Sequence, residues 1–296
     1  MPDPAHLSAL AAVHRRGSFD HAAAELHVTP SAISQRIKAL EEATGTLLII
    51  RGQPCTATPA GLRLIRHHDE VTLLERQLAA DLPGLARPAA TLRLAVNADS
   101  LATWVMPALA ATDGFLFDLV IDDQDVSQDW LKRGEVSAAI TAHPGPLQGC
   151  DTLPLGRLRY HATASPAYMA RWFPQGVSEA ALTRAPALTF SDKDRLQDIW
   201  VARHAGGKLA HARFPSHRMA SSHAFVEACL TGTGWGLNPH ALIAPHLTSG
   251  ALVELIPGTP VDVALHWQFT RLTATALAPL TRAIRAAAAA VLLPPL

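Results

Sequence analysis

The sequence predicts an all-α N-terminal region, one long helix and a C-terminal α/β region. Residues 18–40 show apolar side chains at three- and four-residue spacing on both sides of a short break, which is typical of two helices joined by a tight turn. Residues 60–82 contain no proline and a single glycine, Gly61, so they favour one continuous helix. From residue 92 onwards, short β-type runs alternate with helical segments, as they do in βαβ units.

The helix pair at residues 18–40 has one apolar face on each helix and a break at His27 and Val28. Thr29 offers the side-chain oxygen of an N-cap. Pro30 suits the first helical position, because that position needs no backbone N–H. The spacing predicts that these apolar residues are buried: Phe19, Ala22, Ala23 and Leu26 on the first helix, and Ile33, Ile37 and Leu40 on the second.

The opposite face of the second helix carries short donors, an amide and cations. These groups reach base edges and phosphates in a DNA major groove. An ordinary amphipathic helix pair would also be polar on its outer face. Residues 18–40 alone therefore leave open whether the pair binds DNA or is only structural. The residues concerned are Ser31, Ser34, Gln35, Arg36 and Lys38.

The residues that follow favour DNA binding. An apolar run at residues 47–50 precedes Arg51, and residues 58–61 read Thr-Pro-Ala-Gly. In this order the motifs resemble the winged helix-turn-helix domain of the LysR-type transcriptional regulators, over residues 5–87. The resemblance implies a two-stranded wing that carries Arg51, and double-stranded operator DNA as the partner. The chain departs from the family at Pro30, where many members have Gln, and at Leu48 and Ile49, a place often held by Phe.

Charge and composition are compatible with such a protein. The net charge is zero, but residues 1–66 hold seven Lys or Arg against five acids, a net of +2 in that part. This small bias favours specific binding by a dimer over general coating of DNA. The sequence has 49% hydrophobic residues, but no run approaches the ~20 apolar residues of a membrane helix. It also lacks the basic start of a secretion signal. We therefore expect a cytoplasmic protein without membrane association.

The long helix predicts a dimer contact. Val71, Leu74 and Leu78 repeat at the spacing of a helix–helix seam, and no element is left in the sequence pattern to cover them. We therefore expect a homodimer or homotetramer. The expected domains are residues 1–59 for DNA binding, residues 60–87 for the linker and dimerisation helix, and residues 91–296 for an effector domain.

The α/β region has eight β-type runs and five helical segments, which favour parallel sheets. The resemblance implies a two-lobed effector domain like a periplasmic binding protein. Lobe I then comprises residues 91–161 and 268–296, lobe II comprises residues 162–267, and two crossover strands form the hinge. The predicted strands are 92–96, 117–122, 138–141, 187–190, 212–219, 235–238, 252–256 and 264–269, and the predicted helices are 101–110, 126–133, 196–203, 222–231 and 275–293.

A ligand of such a sheet binds beyond the carboxyl ends of the strands, near helix N-termini that favour an anion. Ser100 is expected to cap a helix that begins at Leu101, and acids follow two strands. A helix start that binds a carboxylate and lies opposite acidic side chains suits lysine or arginine as the ligand. Taken alone, each serine could equally be a plain helix cap, and each acid could be a solvated side chain. The expected effector-binding residues are Asn97, Ser100, Leu101, Thr103, Asp122, Asp123, Thr141, Asp192, Ser221 and Ser222.

The segment at residues 96–104 and the run at residues 224–239 resemble the ArgP/LysG branch of the family. That resemblance implies an activator of lysine or arginine export that works with RNA polymerase. We find no catalytic or metal motif and expect no cofactor: the three cysteines are far apart, and the adjacent Asp122 and Asp123 would point to opposite faces of a strand. The alternative is an α/β solute-binding or amino-acid-converting protein that uses its N-terminal helices for dimerisation.

Overall fold

The computed structural model describes residues 2–82, 90–122, 127–204 and 214–295, with Asp81 and Asp122 described by their backbones only. In its N-terminal part, helices pack around one apolar core, and a short antiparallel hairpin forms the predicted wing. The elements are α1 (Pro4–Arg16), α2 (Phe19–Glu25), α3 (Pro30–Thr44), β1 (Ile49–Ile50), β2 (Thr56–Ala57) and α4 (Pro59–Asp81).

The predicted helix signals of this part are confirmed. Thr29 Oγ1 accepts a hydrogen bond of 3.2 Å from the Ala32 amide, and Pro30 is the first residue of α3. His27, at the predicted break, has a positive φ of 52°. Ile33, Ile37 and Leu40 are all buried, which leaves the opposite face of α3 at the surface.

Helix α4 begins under the wing and ends beside the α/β region. Thr58 caps it by accepting a hydrogen bond of 3.1 Å from the Gly61 amide. Gly61 passes so close to the wing that an added Cβ would lie 2.3 Å from the carbonyl oxygen of Leu48. Further along, Leu73 is buried in the core of the α/β region. No local sequence pattern indicates this packing, because it joins residues far apart in the chain.

The α/β region begins at residue 90 and continues through α13. Its first part is β3 (Ala90–Asn97), α5 (Ala98–Ser100), a π-helical turn (Leu101–Val105), α6 (Met106–Ala110), β4 (Phe115–Asp122), α7 (Ser127–Arg133), β5 (Ala138–Thr141) and β6 (Cys150–Ala164). Its second part is α8 (Pro166–Trp172), α9 (Glu179–Leu182), β7 (Ala187–Thr189), α10 (Leu196–His204), β8 (Ser216–Arg218), α11 (Ser222–Leu230), β9 (Gly236–Pro239), α12 (His240–Ser249), β10 (Val253–Glu254), β11 (Val261–Thr270), a 3-10 turn (Arg271–Thr273) and α13 (Ala278–Val291).

The prediction of parallel sheets is confirmed for some strand pairs and wrong for others. Within the described residues, β3 pairs in parallel with β4 and β5, and β7 pairs in parallel with β8. The two long strands β6 and β11 instead run antiparallel to each other and join both halves of the region, where the resemblance places the hinge. The main sheet therefore has the order β10-β6-β11-β5-β3-β4, with β9 also on β6.

Strand β6 was missed because its sequence contains two residues that interrupt strand patterns, Pro154 and Gly156. Its register against β11 shifts between them, so Leu155 is an extra, bulged residue. Gly156 has φ 138°, and a Cβ there would lie 2.5 Å from the carbonyl oxygen of Leu293. The segment that contains Leu293 thus crosses β6 at a position where only glycine fits. Helices α8, α9 and α12 also lie outside the predicted segments.

Candidate functional sites

The outer face of α3 is accessible. Ser31, Gln35 and Lys38 are exposed, and Ser34 and Arg36 are partly exposed at its sides. Lys38 lies 3.7 Å from Glu42 one turn later, in a surface ion pair that costs little to break. The face therefore presents hydroxyl, amide and cationic groups on a straight helix of 15 residues.

Arg51 follows β1 and is exposed at the wing. Its guanidinium carbon lies 5.4 Å from the centre of the Phe19 ring, so a cation–π contact ties the wing to α2. The wing is also tied to α3, because Glu41 accepts hydrogen bonds of 2.8 and 3.4 Å from the amides of Leu48 and Ile49. Helix α3 and the wing thus form one unit.

The predicted seam on α4 lies on the side away from Leu73. Leu74 and Leu78 are 39% and 54% exposed, and Val71 is partly buried. An apolar row of this kind is available to a second helix, and its dimerisation role stays a prediction.

A cavity of about 120 Å³ lies between the two halves of the α/β region. The first half contributes the start of the helical segment after β3. The second half contributes the loop after β7, the start of α11 and the end of β9, and Val263 comes from β11. The lining residues are Asn97, Ala98, Asp99, Phe190, Asp194, Arg195, Leu196, Ile199, Ser222, Phe225, Leu237, Asn238, Pro239 and Val263.

Asp99 occupies the centre of this arrangement. Its Oδ2 accepts a hydrogen bond of 2.8 Å from the hydroxyl of Tyr160 on β6. Its Oδ1 accepts one of 2.6 Å from the hydroxyl of Ser222 on α11. The carboxylate of one half is therefore hydrogen-bonded to β6 and to the opposite half at once.

Asp194 supplies a second carboxyl group to the cavity wall. Its two oxygens accept hydrogen bonds of 2.9 Å from the Phe190 amide and 3.0 Å from the Leu196 amide. Burial raises the pKa of Asp194, and these backbone hydrogen bonds oppose that rise. Arg195 is the one cationic side chain among the lining residues that the structure describes, and it is largely exposed beside Asp198. The cavity wall is thus acidic.

The structure brings two of the ten predicted effector residues, Asn97 and Ser222, to this cavity. Ser221 caps α11 by accepting a hydrogen bond of 3.4 Å from the Ala224 amide. The others lie apart from the lining: Leu101 is partly buried, Thr103 bonds the Asp99 carbonyl, Thr141 is buried, and exposed Asp192 pairs with Arg218. The side chain of Asp122 and all of Asp123 lie outside the described residues.

The prediction that Ser100 caps a helix beginning at Leu101 is wrong. The helix begins at Ala98, directly after β3, with Asn97 at the N-cap position. Ser100 is fully buried within the helical segment and makes no capping hydrogen bond.

The expected effector residues did not include four polar residues of the cavity lining, Asp99, Asp194, Arg195 and Asn238. They also did not include Tyr160, which hydrogen-bonds Asp99. The strand-end rule that selected Asn97 would also have selected Asn238, because this residue ends a predicted strand. Asp99 lies in the same segment as the chosen Ser100. Tyr160 gave no local signal, since it belongs to the unpredicted β6.

Neither a metal cluster nor a membrane-spanning helix occurs among the described residues. No group of three or more His, Cys, Asp or Glu side chains there could hold a metal ion. None of the helices in that part of the chain combines the length and the apolar character that crossing a bilayer demands.

Comparison with known proteins relates both parts of the chain to one family. Residues 4–62 match the family described as "Bacterial regulatory helix-turn-helix protein, lysR family". Residues 86–292 match "LysR substrate binding domain". The transcriptional regulator LysG of Mycobacterium tuberculosis is 39% identical over 287 residues, which cover 97% of this chain and 93% of that protein.

Solved structures agree over almost the whole length. The crystal structure of ArgP from Mycobacterium tuberculosis has a TM-score of 0.80 and 38% identity, covering 99% of both chains. Full-length LysG from Corynebacterium glutamicum with bound effector Arg has a TM-score of 0.70 and 34% identity, covering 99% of this chain and 100% of that one.

Proposed function

The chain belongs to the LysR family of bacterial transcriptional regulators and is of the LysG and ArgP type, and from that premise we propose that a basic amino acid, lysine or arginine, controls it by binding between the two lobes. Lobe I here comprises residues 91–161 and 268–296, and lobe II comprises residues 162–267. The proposal includes a DNA site made of the α3 face and the wing, with Ser31, Ser34, Gln35, Arg36, Lys38 and Arg51 as contacts.

The acidic wall of the cavity is the observation that carries this proposal. Asp99 and Asp194 face a space whose other lining side chains are mostly apolar. A site needs about 10–15 Å³ of such volume for each water-sized group, so 120 Å³ suits a molecule of about ten non-hydrogen atoms. Lysine and arginine have this size, an apolar stem and cationic groups for the carboxylates.

The carboxylate of the ligand requires a different environment. The helical segment that begins at Ala98 and helix α11 both start at the cavity, and their first N–H groups favour an anion. An α-amino acid would therefore place its carboxylate at the helix starts and its α-ammonium beside Asp99. Its side chain then extends along Ile199, Leu237 and Val263.

The relatives support this assignment. Corynebacterium glutamicum LysG holds arginine as an effector, and it shares the fold of this chain over its whole length. We propose that ligand binding changes the closure of the lobes about β6 and β11. In a dimer or tetramer held together by α4, this change would alter subunit spacing on DNA and activate an amino-acid exporter gene through RNA polymerase. The required coupling is typically ~1–3 kcal/mol.

Calorimetric titration of the purified protein with lysine, arginine and leucine tests the proposal. We expect saturable binding of one or both basic amino acids and none of leucine. Asp99→Asn should weaken that binding at least about tenfold, because a neutral amide replaces the charge that faces the ligand, while operator affinity stays within a few-fold. Absence of binding by either basic amino acid would overturn the effector assignment.

A further inference from the structure

Asn238 has a buried acceptor that faces no donor in the described part of the chain. The residue is the last but one of β9, lines the cavity and is 0% exposed. Its amide nitrogen donates a hydrogen bond of 3.0 Å to Thr163 Oγ1 and lies 3.3 Å from Cys229 Sγ. No hydrogen-bond donor among the described residues reaches its Oδ1.

The orientation of this amide follows from its neighbours. The Asn238 nitrogen also lies 3.4 Å from the carbonyl oxygen of Gly236, a group that can only accept. A reversed amide would place two acceptor oxygens against each other at this point. In the structure the nitrogen faces Gly236 and Thr163, and the oxygen lies on the other side of the amide.

A buried amide oxygen without a donor destabilises the folded protein, and each such group in a native structure calls for an explanation. In the wall of a ligand cavity, a donor on the ligand removes that cost. The two carboxyl groups of the wall already accept hydrogen bonds on both oxygens, Asp99 from Tyr160 and Ser222, and Asp194 from backbone amides. Asn238 differs from them because its only acceptor atom has no such partner within the described ranges.

We propose that Asn238 Oδ1 accepts a hydrogen bond from the side-chain cation of the ligand, the ammonium of lysine or the guanidinium of arginine, and so determines the preference for basic over neutral amino acids. This inference rests on the proposed effector site. The α-ammonium is one carbon from the carboxylate and stays with it at the helix starts. Asn238 lies near the end of β9 and lines the same cavity as Leu237, along which the apolar stem extends.

An asparagine at position 238 also suits a site that selects basic over neutral amino acids. A site that buries an acceptor for a ligand N–H strongly rejects an analogue that lacks the N–H, because the acceptor is then left without a partner. The carboxylates provide charge attraction, which acts over a distance. The amide oxygen adds a directional requirement for a donor at one position.

The test measures binding of lysine and of two truncated analogues by calorimetry, with displacement of lysine for weak ligands. Norleucine lacks the side-chain ammonium, and 6-aminohexanoate lacks the α-ammonium. Asn238→Leu removes the acceptor at similar size, and Asn238→Asp keeps an acceptor. Thr163→Val is the matched control, because it removes the partner of the amide nitrogen and leaves Oδ1 in place.

We expect Asn238→Leu to lower the affinities for lysine and 6-aminohexanoate by about tenfold or more and to leave the affinity for norleucine the same or higher. Asn238→Asp should raise the preference for lysine over norleucine, and Thr163→Val should keep it. An equal loss for lysine and norleucine would overturn the proposal, and so would a loss for lysine that spares 6-aminohexanoate, since the partner would then be the α-ammonium.

Two further outcomes are distinguishable. If the wild-type protein binds no basic amino acid, the proposed effector itself fails before any variant is compared. If Asn238→Leu does not fold, as judged by circular dichroism and operator binding, Asn238→Asp decides. Its added charge should raise the ratio of lysine to norleucine affinity if the oxygen faces the side-chain cation, and an unchanged ratio would overturn the proposal.

Discussion

Ser222 and Asp99 lie on opposite sides of the cavity and are joined by a hydrogen bond of 2.6 Å. Ser222 is the first residue of α11 in lobe II, and Asp99 is in the first turn after β3 in lobe I. The bond has a carboxylate acceptor, which makes it stronger than a bond between neutral groups. This hydrogen bond thus links the two halves of the α/β region through a residue that lines the cavity.

Ser222→Ala should therefore weaken effector binding. The substitution removes a hydrogen bond that joins the two sides of the cavity, so we expect a smaller fraction of the protein to hold the arrangement that binds. We expect about a tenfold loss of lysine or arginine affinity by calorimetry. Ser221→Ala is the matched control, because Ser221 caps the same helix without contacting Asp99. Equal losses in both variants would assign the effect to the helix start and not to the inter-lobe bond.

The sequence predicted those parts of the molecule that depend on local chemistry. The caps of α3 and the buried stripe of Ile33, Ile37 and Leu40 follow from neighbouring residues, and all are present. Ser222 was found for the same reason, since a serine before an apolar helix is a local pattern.

The parts that could not be predicted depend on contacts between distant residues. Tyr160 reaches Asp99 because β6 passes between β9 and β11, and Pro154 and Gly156 concealed that strand. Leu73 is buried only because α4 packs against the α/β region. The orientation of the Asn238 amide depends on Gly236 and Thr163, which lie next to the amide nitrogen. No rule of residue spacing predicts these contacts from the sequence.

Lys38→Glu should weaken DNA binding. Lys38 is exposed on the outer face of α3, and a carboxylate there would repel the phosphates. We expect a ten- to hundredfold loss of affinity, roughly, for duplexes selected by the wild-type protein, with a salt slope lower by about 0.9 for each phosphate that is no longer neutralised. Lys132→Glu makes the same charge change on α7 and should leave binding unchanged. Equal binding by both variants would favour the alternative in which the N-terminal helices serve only for dimerisation.

Leu78→Glu should disrupt the dimer. Leu78 is 54% exposed on the face of α4 that is predicted to meet a second copy, and a buried carboxylate in such a seam is strongly unfavourable. Sedimentation should show a smaller species or a dissociation constant raised at least about tenfold. Met106→Glu is the control, since Met106 is also 54% exposed but lies on α6. An unchanged oligomer in Leu78→Glu would refute the α4 seam.

Gly61→Ala should destabilise the N-terminal domain, although alanine is the better helix former by about 1 kcal/mol. The new Cβ would lie 2.3 Å from the carbonyl oxygen of Leu48, and a backbone atom cannot turn away as a side chain can. We expect a net loss of ~1–3 kcal/mol in the free energy of unfolding. Gly52→Ala serves for comparison, because its Cβ would come no nearer than 3.4 Å to the Pro54 carbonyl oxygen. A stabilised Gly61→Ala would show that α4 can shift away from the wing.

Acidification should destabilise the protein through histidines that are neutral in the fold. Burial lowers the pKa of His14, and the positive charge of Arg93 lowers it further. His14 Nδ1 accepts a hydrogen bond of 3.2 Å from the Ala57 amide, so a proton on that nitrogen would break a link between α1 and the wing. Burial also lowers the pKa of His68 on α4 and of His266 on β11.

These histidines bind protons more readily in the unfolded chain, where the pKa returns to about 6.5. Their contribution to the free energy of unfolding is therefore complete above that value and is lost as the pH falls below it. Thermal unfolding between about pH 7.5 and about pH 5.5 should show a smaller loss of Tm in His14→Gln than in the wild type, because the amide of glutamine can still accept from Ala57 but does not titrate. His21→Gln, at an exposed position on α2, should follow the wild type. A His14→Gln variant with the full wild-type loss would show that the imidazole of His14 is not responsible.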